Sequence, residues 1–537
     1  MSELEIPGHR KTHRIQHLKK NSYELYILAL FGDFVNAAVY RIMNAMRNHY
    51  FKTRVTKMGK WNTPPLDTGT WYGENTNEFF KQTFGIPKGI LTMYTGEDGY
   101  MHAYVPTKYF TLLHKQIVQI NQNDYLALSR KLRTFYSLDE KAKAAVRGIY
   151  KNPHKLSNAG LAKSIEEIRR WVHHVVVFDQ FGWLGEEYWT PLMKNILQKE
   201  AGLNFGSKEY NEVMFALIKP EQISTTLTEK RAVLFQAIKI KNKKTSFLAA
   251  SKILAQQFGW MPIFTYGDGW QAEHYTQGLK DLTKSKLKDL IKELEELKYY
   301  RIIRNRDISK IVKKYRLGKK SLQIFIDFGL ALDVRNEAEY FVSYAGKFLM
   351  PLFNESQARL YLSSKQLRGL TEKELVDALR GKQFIENIQA KKGKYGGWGY
   401  DLGMKKRLNL NPIEAENLFK HIESYVKPIQ GGDESKGTCA SPGKVRGKIR
   451  IVAFSGQNDK VRNGDVMVTY ATCVDHLPAM KRAAAIVTEV GGLTCHAAVV
   501  SREFGIPCVV ALKNAMTNFK DGELVEVDAN KGIVRKL

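Results

Sequence analysis

Cysteine is scarce in this chain. Only Cys439, Cys473, Cys495 and Cys508 occur in 537 residues, all within the last hundred. Their spacing fits neither a C-x-x-C metal or redox motif nor a disulfide framework, so a reducing compartment is expected. Long apolar runs are missing too. The most apolar early stretch, Tyr23 to Tyr40, is interrupted by Gly32, Asp33 and Asn36, which excludes a membrane-spanning helix there. The basic, polar N-terminus has no apolar signal-peptide core. A cytoplasmic chain without a membrane partner is expected. No P-loop is present either. Lys391 to Gly399 is basic and glycine-rich but lacks both the terminal G-K-[ST] and a preceding strand, so it reads as a flexible hairpin.

Acidic residues are outnumbered, 54 to 83, giving a net charge of +29. Such a balance admits nucleic acid, an anionic surface or an anionic substrate as partner. The excess is spread along the chain: residues 436–537 hold 15 Lys+Arg against 9 Asp+Glu. Scattered lysines on helix faces mark a solvated surface, so nucleic-acid binding stands as the least favoured reading. A chain of this length should divide into two to four domains.

His9, His13 and His17 recur at helical spacing in the N-terminal arm, a metal-compatible pattern without carboxylate or cysteine companions. No metal is expected there. Tyr23 to Tyr50 reads as one or two amphipathic helices. Residues 89–105 then alternate on both sides of Gly96-Glu97-Asp98-Gly99, which predicts a β-hairpin. From about Pro106 to Ser424 the pattern is helical. Leu161, Ile165, Ile168, Val172 and Val175 keep a 3.6-residue period, as do Leu287, Leu290, Ile291, Leu294 and Leu297. Turn signals such as Tyr266 to Gly269 separate helices.

Aromatics cluster at Phe178, Phe181, Trp183, Tyr188, Trp189, Phe258, Trp260 and Trp270. At helical spacing they read as core before they read as a ligand pocket. Asp179, Glu186 and Glu187 lie among them, either as general bases toward a hydroxyl or facing water. His173 and His174 point in different directions on a helix, and His274 and His421 have no ligand-like neighbours. Gln430 to Lys436, rich in glycine and charge, reads as a hinge before a mobile domain.

The chemistry concentrates between Thr488 and Pro507. Ala483 to Val487 is a short apolar run that predicts a buried strand, and Ala497 to Phe504 has helical composition, stopped by Gly505 and Pro507. His496 therefore falls where a strand, a glycine turn and a helix N-terminus meet. Gly491 and Gly492 let the backbone approach an anion. The unpaired first-turn N–H groups and the helix dipole favour a phosphate dianion. Thr494 serves as N-cap or turns its hydroxyl to that phosphate. The same positive helix end disfavours imidazolium, leaving His496 neutral and nucleophilic near pH 7. This reading requires an imidazole that a donor can reach. Cys495 is read as packing.

The run Gly491-Gly492-x-Thr494-x-His496-Ala497-Ala498-Val499-Val500-Ser501-Arg502 resembles the phosphohistidine signature of the PEP-utilising enzymes: phosphoenolpyruvate synthase, pyruvate phosphate dikinase, enzyme I of the sugar phosphotransferase system and rifampin phosphotransferase. Ala440-Ser441-Pro442-Gly443, Gly447 to Arg450, Gly464 to Thr469, and Asp521-Gly522 through Asp528 to Gly532 fall in the order and spacing of the swivelling domain of that family. The resemblance implies a phosphate carried on Nε2 of His496, with Thr494, Gly491, Gly492, Arg502, Ser441 and Gly443 positioning it or its turn. Arg502, about two turns along the helix, is expected to hold that turn or meet a partner. It also implies ATP or phosphoenolpyruvate as phosphoryl donor, with Mg2+ on the donor's side and no permanently bound cofactor.

The fold expected is α/β multidomain. A small mixed region spans residues 1–105, an α-helical domain 106–429, a hinge 430–436, and a phosphohistidine swivelling domain 437–537. The ATP-grasp domain and TIM barrel of the full-length synthases are not recognised, and with five residues after Gly532 no barrel of about 250 residues is expected to follow. A phosphotransferase component is expected, loaded by a separate ATP-grasp or PEP-dependent partner and passing phosphate to a small-molecule or protein acceptor. In rifampin phosphotransferase a helical domain holds the acceptor, which by analogy suggests the helical region here. The alternative is a docking or regulatory module without turnover.

Overall fold

The structure, a computed structural model, describes residues 55–61, 74–86, 91–95, 101–263, 268–382, 395–401, 406–410, 416–417, 419–420 and 434–537. The histidine arm, the helices expected over 23–50, the Tyr266-Gly267 turn, His421 and the first four residues of the expected hinge lie outside them.

Two very long helices form the spine of the helical region. Helix α1 (Ala127–Ile149) packs against α2 (Asn158–Lys199) and, after α3 (Thr225–Lys241), against α4 (Lys319–Arg359). The Ser157 hydroxyl caps α2 by accepting from the Gly160 N–H at 3.1 Å, satisfying one of the unpaired first-turn donors. Its periodic residues Leu161, Ile165, Ile168, Val172 and Val175 are all fully buried. In the helix Leu287–Lys298 the same period buries only Leu290, and Ile291 remains 44% exposed, because that helix packs at the surface. Of the clustered aromatics Phe178, Phe181 and Trp189 are buried core, with Phe181 stacked on Phe84 at 3.9 Å, while Trp183, Tyr188, Phe258, Trp260 and Trp270 are partly buried. No helix among the described residues is long and apolar enough to cross a membrane.

The predicted hairpin forms from β2 (Leu91–Thr95) and β3 (Met101–Pro106), antiparallel, with Leu91 opposite Tyr104. It is part of a larger sheet. Strand β1 (Val55–Trp61) flanks β3, and β4 (Tyr395–Asp401) with β5 (Lys406–Leu410) extends the sheet beyond β2, in the order β1-β3-β2-β4-β5. The described part of the basic glycine-rich stretch, Tyr395 to Gly399, lies in β4 and pairs with β2, some 300 residues earlier in the chain. The mixed element is not confined to the first 105 residues.

The C-terminal region contains β6 (Glu434–Lys436), β7 (Thr438–Ser441), β8 (Lys444–Ile451), β9 (Val466–Thr469), β10 (Ala485–Thr488), helix α5 (His496–Phe504), β11 (Cys508–Val510), β12 (Leu524–Asp528) and β13 (Ile533–Lys536). The sheet order is β6-β13-β12-β8-β9-β10-β11-β7, with β8 to β11 mutually parallel and the remaining pairs antiparallel. Strand β10, buried along its length, is the one expected from the apolar run before Thr488. The last three residues of the expected hinge are the edge strand β6, paired with β13.

Candidate active site

Adjacent parallel strands deliver their following loops to the same end of a sheet. Strand β9 leads to Tyr470–His476 and β10 leads to Glu489–Cys495, so the two loops meet at His496, the first residue of α5. Gly491, with φ of +123°, makes the turn that a side chain would strain. Cys495 occupies the N-cap position without a side-chain cap, and Gly505, with φ of +66°, ends the helix. Thr494 is therefore not the cap.

The His496 Nδ1 lies 3.1 Å from the Thr472 hydroxyl, and Nε2 is buried without a hydrogen-bond partner. Burial first, then the neighbouring His476 and Arg335, lower its pKa to about 3, against an opposing pull from Asp475. The ring is neutral near pH 7, as expected, but desolvation dominates where the helix dipole was invoked.

The ring is only 3% exposed. The requirement of an imidazole open to a donor is not met in this conformation, and the helical bundle packs against the segments on either side of the histidine. Leu493 and Val499, on either side of the histidine, are buried in the bundle's core cluster. Glu186 of α2 reaches the glycine loop: its Oε1 accepts from the Leu493 N–H at 2.5 Å, and its Oε2 accepts from the Thr494 N–H at 3.2 Å and from the Thr494 hydroxyl. A Cβ at Gly492 would overlap that carboxylate. The anion lying against this glycine is a side chain of the bundle. Deeper in the interface Arg335 of α4 lies 3.2 Å from both Asp179 and Glu339. Burial, against the pull of Arg335, raises Glu339 to about 7. Glu187 points to solvent.

Further contacts seal the two regions. Lys481 donates to both oxygens of the buried Glu229 of α3 at 3.0 and 2.9 Å, and the Asn211 amide donates to the Asn530 carbonyl at 3.1 Å. Arg502 holds the turn. It donates to the Leu493 carbonyl at 2.9 Å and the Ala440 carbonyl at 3.1 Å, and lies over the Phe215 ring at 5.5 Å. Ser441 and Gly443 are not brought to the imidazole. The Ser441 hydroxyl points to the Ser501 carbonyl at 3.4 Å, the Gly443 N–H donates to Asn530 at 3.2 Å, and a Cβ on Gly443 would meet Pro507. Those contacts lie toward the other end of α5.

Sequence reasoning missed Thr472, Asp475, His476 and Arg335. The first three were findable, since the loop after a strand parallel to β10 must share its end of the sheet. Nothing local marks Arg335. Cys473, Asp475 and His476 form the group with metal-ligand chemistry among the described residues, their ligand atoms within 4.8 Å of one another. Hydrogen bonds already join them: the Cys473 thiol donates to Asp475 at 2.8 Å and lies 3.5 Å from His476 Nδ1. Burial, then the charge of Asp475, raises the thiol's pKa, which suits a protonated donor.

Residues 461–532 match the family "PEP-utilising enzyme, mobile domain". The chain is 54% identical over 112 residues to a probable phosphoenolpyruvate synthase of Archaeoglobus fulgidus, covering 21% of this chain and 15% of that protein. It is 52% identical over 174 residues to the phosphoenolpyruvate synthase of Pyrococcus furiosus, covering 31% and 21%. The matched segments therefore span about a fifth or less of these relatives' length. A chain in the crystal structure of Thermococcus kodakaraensis aconitase X, holo-form, aligns over 20% of this chain and 99% of its own at 19% identity, with a TM-score of 0.17. The C-terminal sheet domain is thus a mobile domain of the PEP-utilising enzyme type.

Proposed function

We propose that the chain is a phosphotransferase component that carries a phosphoryl group on Nε2 of His496 between a donor site on a partner and an acceptor. What supports this most is the placing of His496 at the start of α5, with Nδ1 on the Thr472 hydroxyl and Nε2 uncommitted. With its proton on Nδ1, donated to Thr472, the ring keeps the Nε2 lone pair for attack on phosphorus. A bond from Nε2 to phosphorus forms as the donor's P–O bond breaks, and the leaving group takes the electron pair. An acceptor oxygen then attacks the same phosphorus, and the P–N bond returns its electrons to Nε2. Loading requires α5 to leave the bundle, since the docked ring is closed to donors. ATP or phosphoenolpyruvate bound by an ATP-grasp or PEP-dependent partner would supply the phosphoryl group, with Mg2+ on that partner.

The closure of His496 favours a second reading, a docking or regulatory module without turnover. Incubating the purified chain with radiolabelled ATP or phosphoenolpyruvate, with and without extract of its own cells, separates the two. Carrier chemistry gives acid-labile label on the peptide holding His496, lost in His496→Ala. A chain that takes no label from any donor is a docking module.

A further inference from the structure

We infer that Glu186 is a latch: its carboxylate takes up the anion-binding donors of the glycine loop in the unphosphorylated chain and holds His496 shut against the bundle until a competing anion displaces it. The inference deepens the carrier reading, on which its displacement step rests.

Three donors converge on this one carboxylate: the N–H groups of Leu493 and Thr494, and the Thr494 hydroxyl. These are the groups a helix-start loop would offer to phosphate oxygens. The carboxylate comes from a different region, more than 300 residues away in sequence, so filling the loop's anion site and docking the domain are the same event. Gly492 leaves it room, since any side chain there would overlap it. Beside Glu186 on the bundle, Asp179 and Glu339 flank Arg335 at 3.2 Å each. A dianionic phosphoryl group on His496 would compete with Glu186 for the loop's donors and face like charge across a water-poor interface. Phosphorylation should therefore release the lobe.

Two reagents test this on the full chain. Diethylpyrocarbonate carbethoxylates accessible neutral imidazoles, and peptide mass spectrometry reads each histidine separately. His154, whose side chain is 80% exposed, serves as reference. We expect His496 to react at least tenfold faster in Glu186→Ala than in the wild type, with Glu187→Ala unchanged, the scale on which a set of charge-assisted hydrogen bonds biases an equilibrium. Hydrogen exchange over 170–182 and 325–345 checks that the bundle of each variant stays folded. Glu186→Gln, which keeps the shape and an accepting oxygen but removes the charge, should fall between. Equal His496 rates in wild type and Glu186→Ala overturn the latch.

Phosphoramidate, a small donor whose P–N bond breaks to release ammonia as Nε2 takes the phosphoryl group, probes the displacement step. Labelled wild-type chain should lose exchange protection over 491–500, and unchanged protection there overturns displacement. Absence of label in every variant, alongside faster carbethoxylation of Glu186→Ala, counts against the carrier reading and supports the latch contact.

Discussion

Removing water from an imidazole penalises its charged form, and at His496 that penalty exceeds every neighbouring charge. A free histidine takes up a proton near pH 6.5, whereas the docked ring resists one until about 3. Between those values the undocked form binds a proton that the docked form refuses. Docking is therefore undiminished above pH 6.5 and weakens as the pH falls below it. Imidazole 15N shifts should show no inflection for His496 from pH 8 down to 6.5, and opening rather than simple titration below that. A reversible inflection at 6.5 with the loop still protected from exchange would refute the buried-ring account. The helix N-terminus at His496 was legible from Gly491, Gly492 and the apolar run after them, but the neutral state rests on burial. That burial was not legible, because Thr472, His476 and Arg335 around the ring come from separate elements of the chain.

Among elements, α2 does two tasks: one stripe builds the core, and Glu186 reaches the swivelling domain. Gly492→Ala places a methyl group on the Glu186 carboxylate, so it should expel the carboxylate and expose His496 as Glu186→Ala does. Carbethoxylation rates of the two variants should agree within about threefold, and a Gly492→Ala protein as closed as the wild type would contradict this geometry. Helical period and turn chemistry announced α2, the β2–β3 hairpin and β10 from local residues alone. They could not announce β4 and β5 as neighbours of β2, because pairing across some 300 residues leaves no local mark. For the same reason Glu186 stood in the sequence as a general base or a solvated carboxylate.

At the scale of the molecule, the swivelling domain is held by an ion pair whose acidic member is almost fully buried: Glu229 is 1% exposed, and Lys481 donates to both of its oxygens. Lys481→Met leaves Glu229 without its cation. Breaking one side of a buried pair costs about 3–5 kcal/mol, and here the cost falls on docking before it falls on either core. Chemical denaturation of Lys481→Met should separate into two transitions, while Glu229→Gln combined with Lys481→Met should recover much of the loss. One unshifted transition in the single variant would show that the pair does not fasten the lobe.

The sheet that joins β2 to β4 sets a limit on any excursion of that lobe. Strand β5 is stitched into this sheet up to Leu410, and the C-terminal sheet begins at Glu434. Whatever conformation residues 411–433 adopt, the leash between the two sheets pulls taut on the order of 80 Å at full extension. If His496 carries phosphate as proposed, every station it visits must lie within that length plus the lobe's own span from Glu434 to His496, and shortening the tether residue by residue should abolish the more distant visit first.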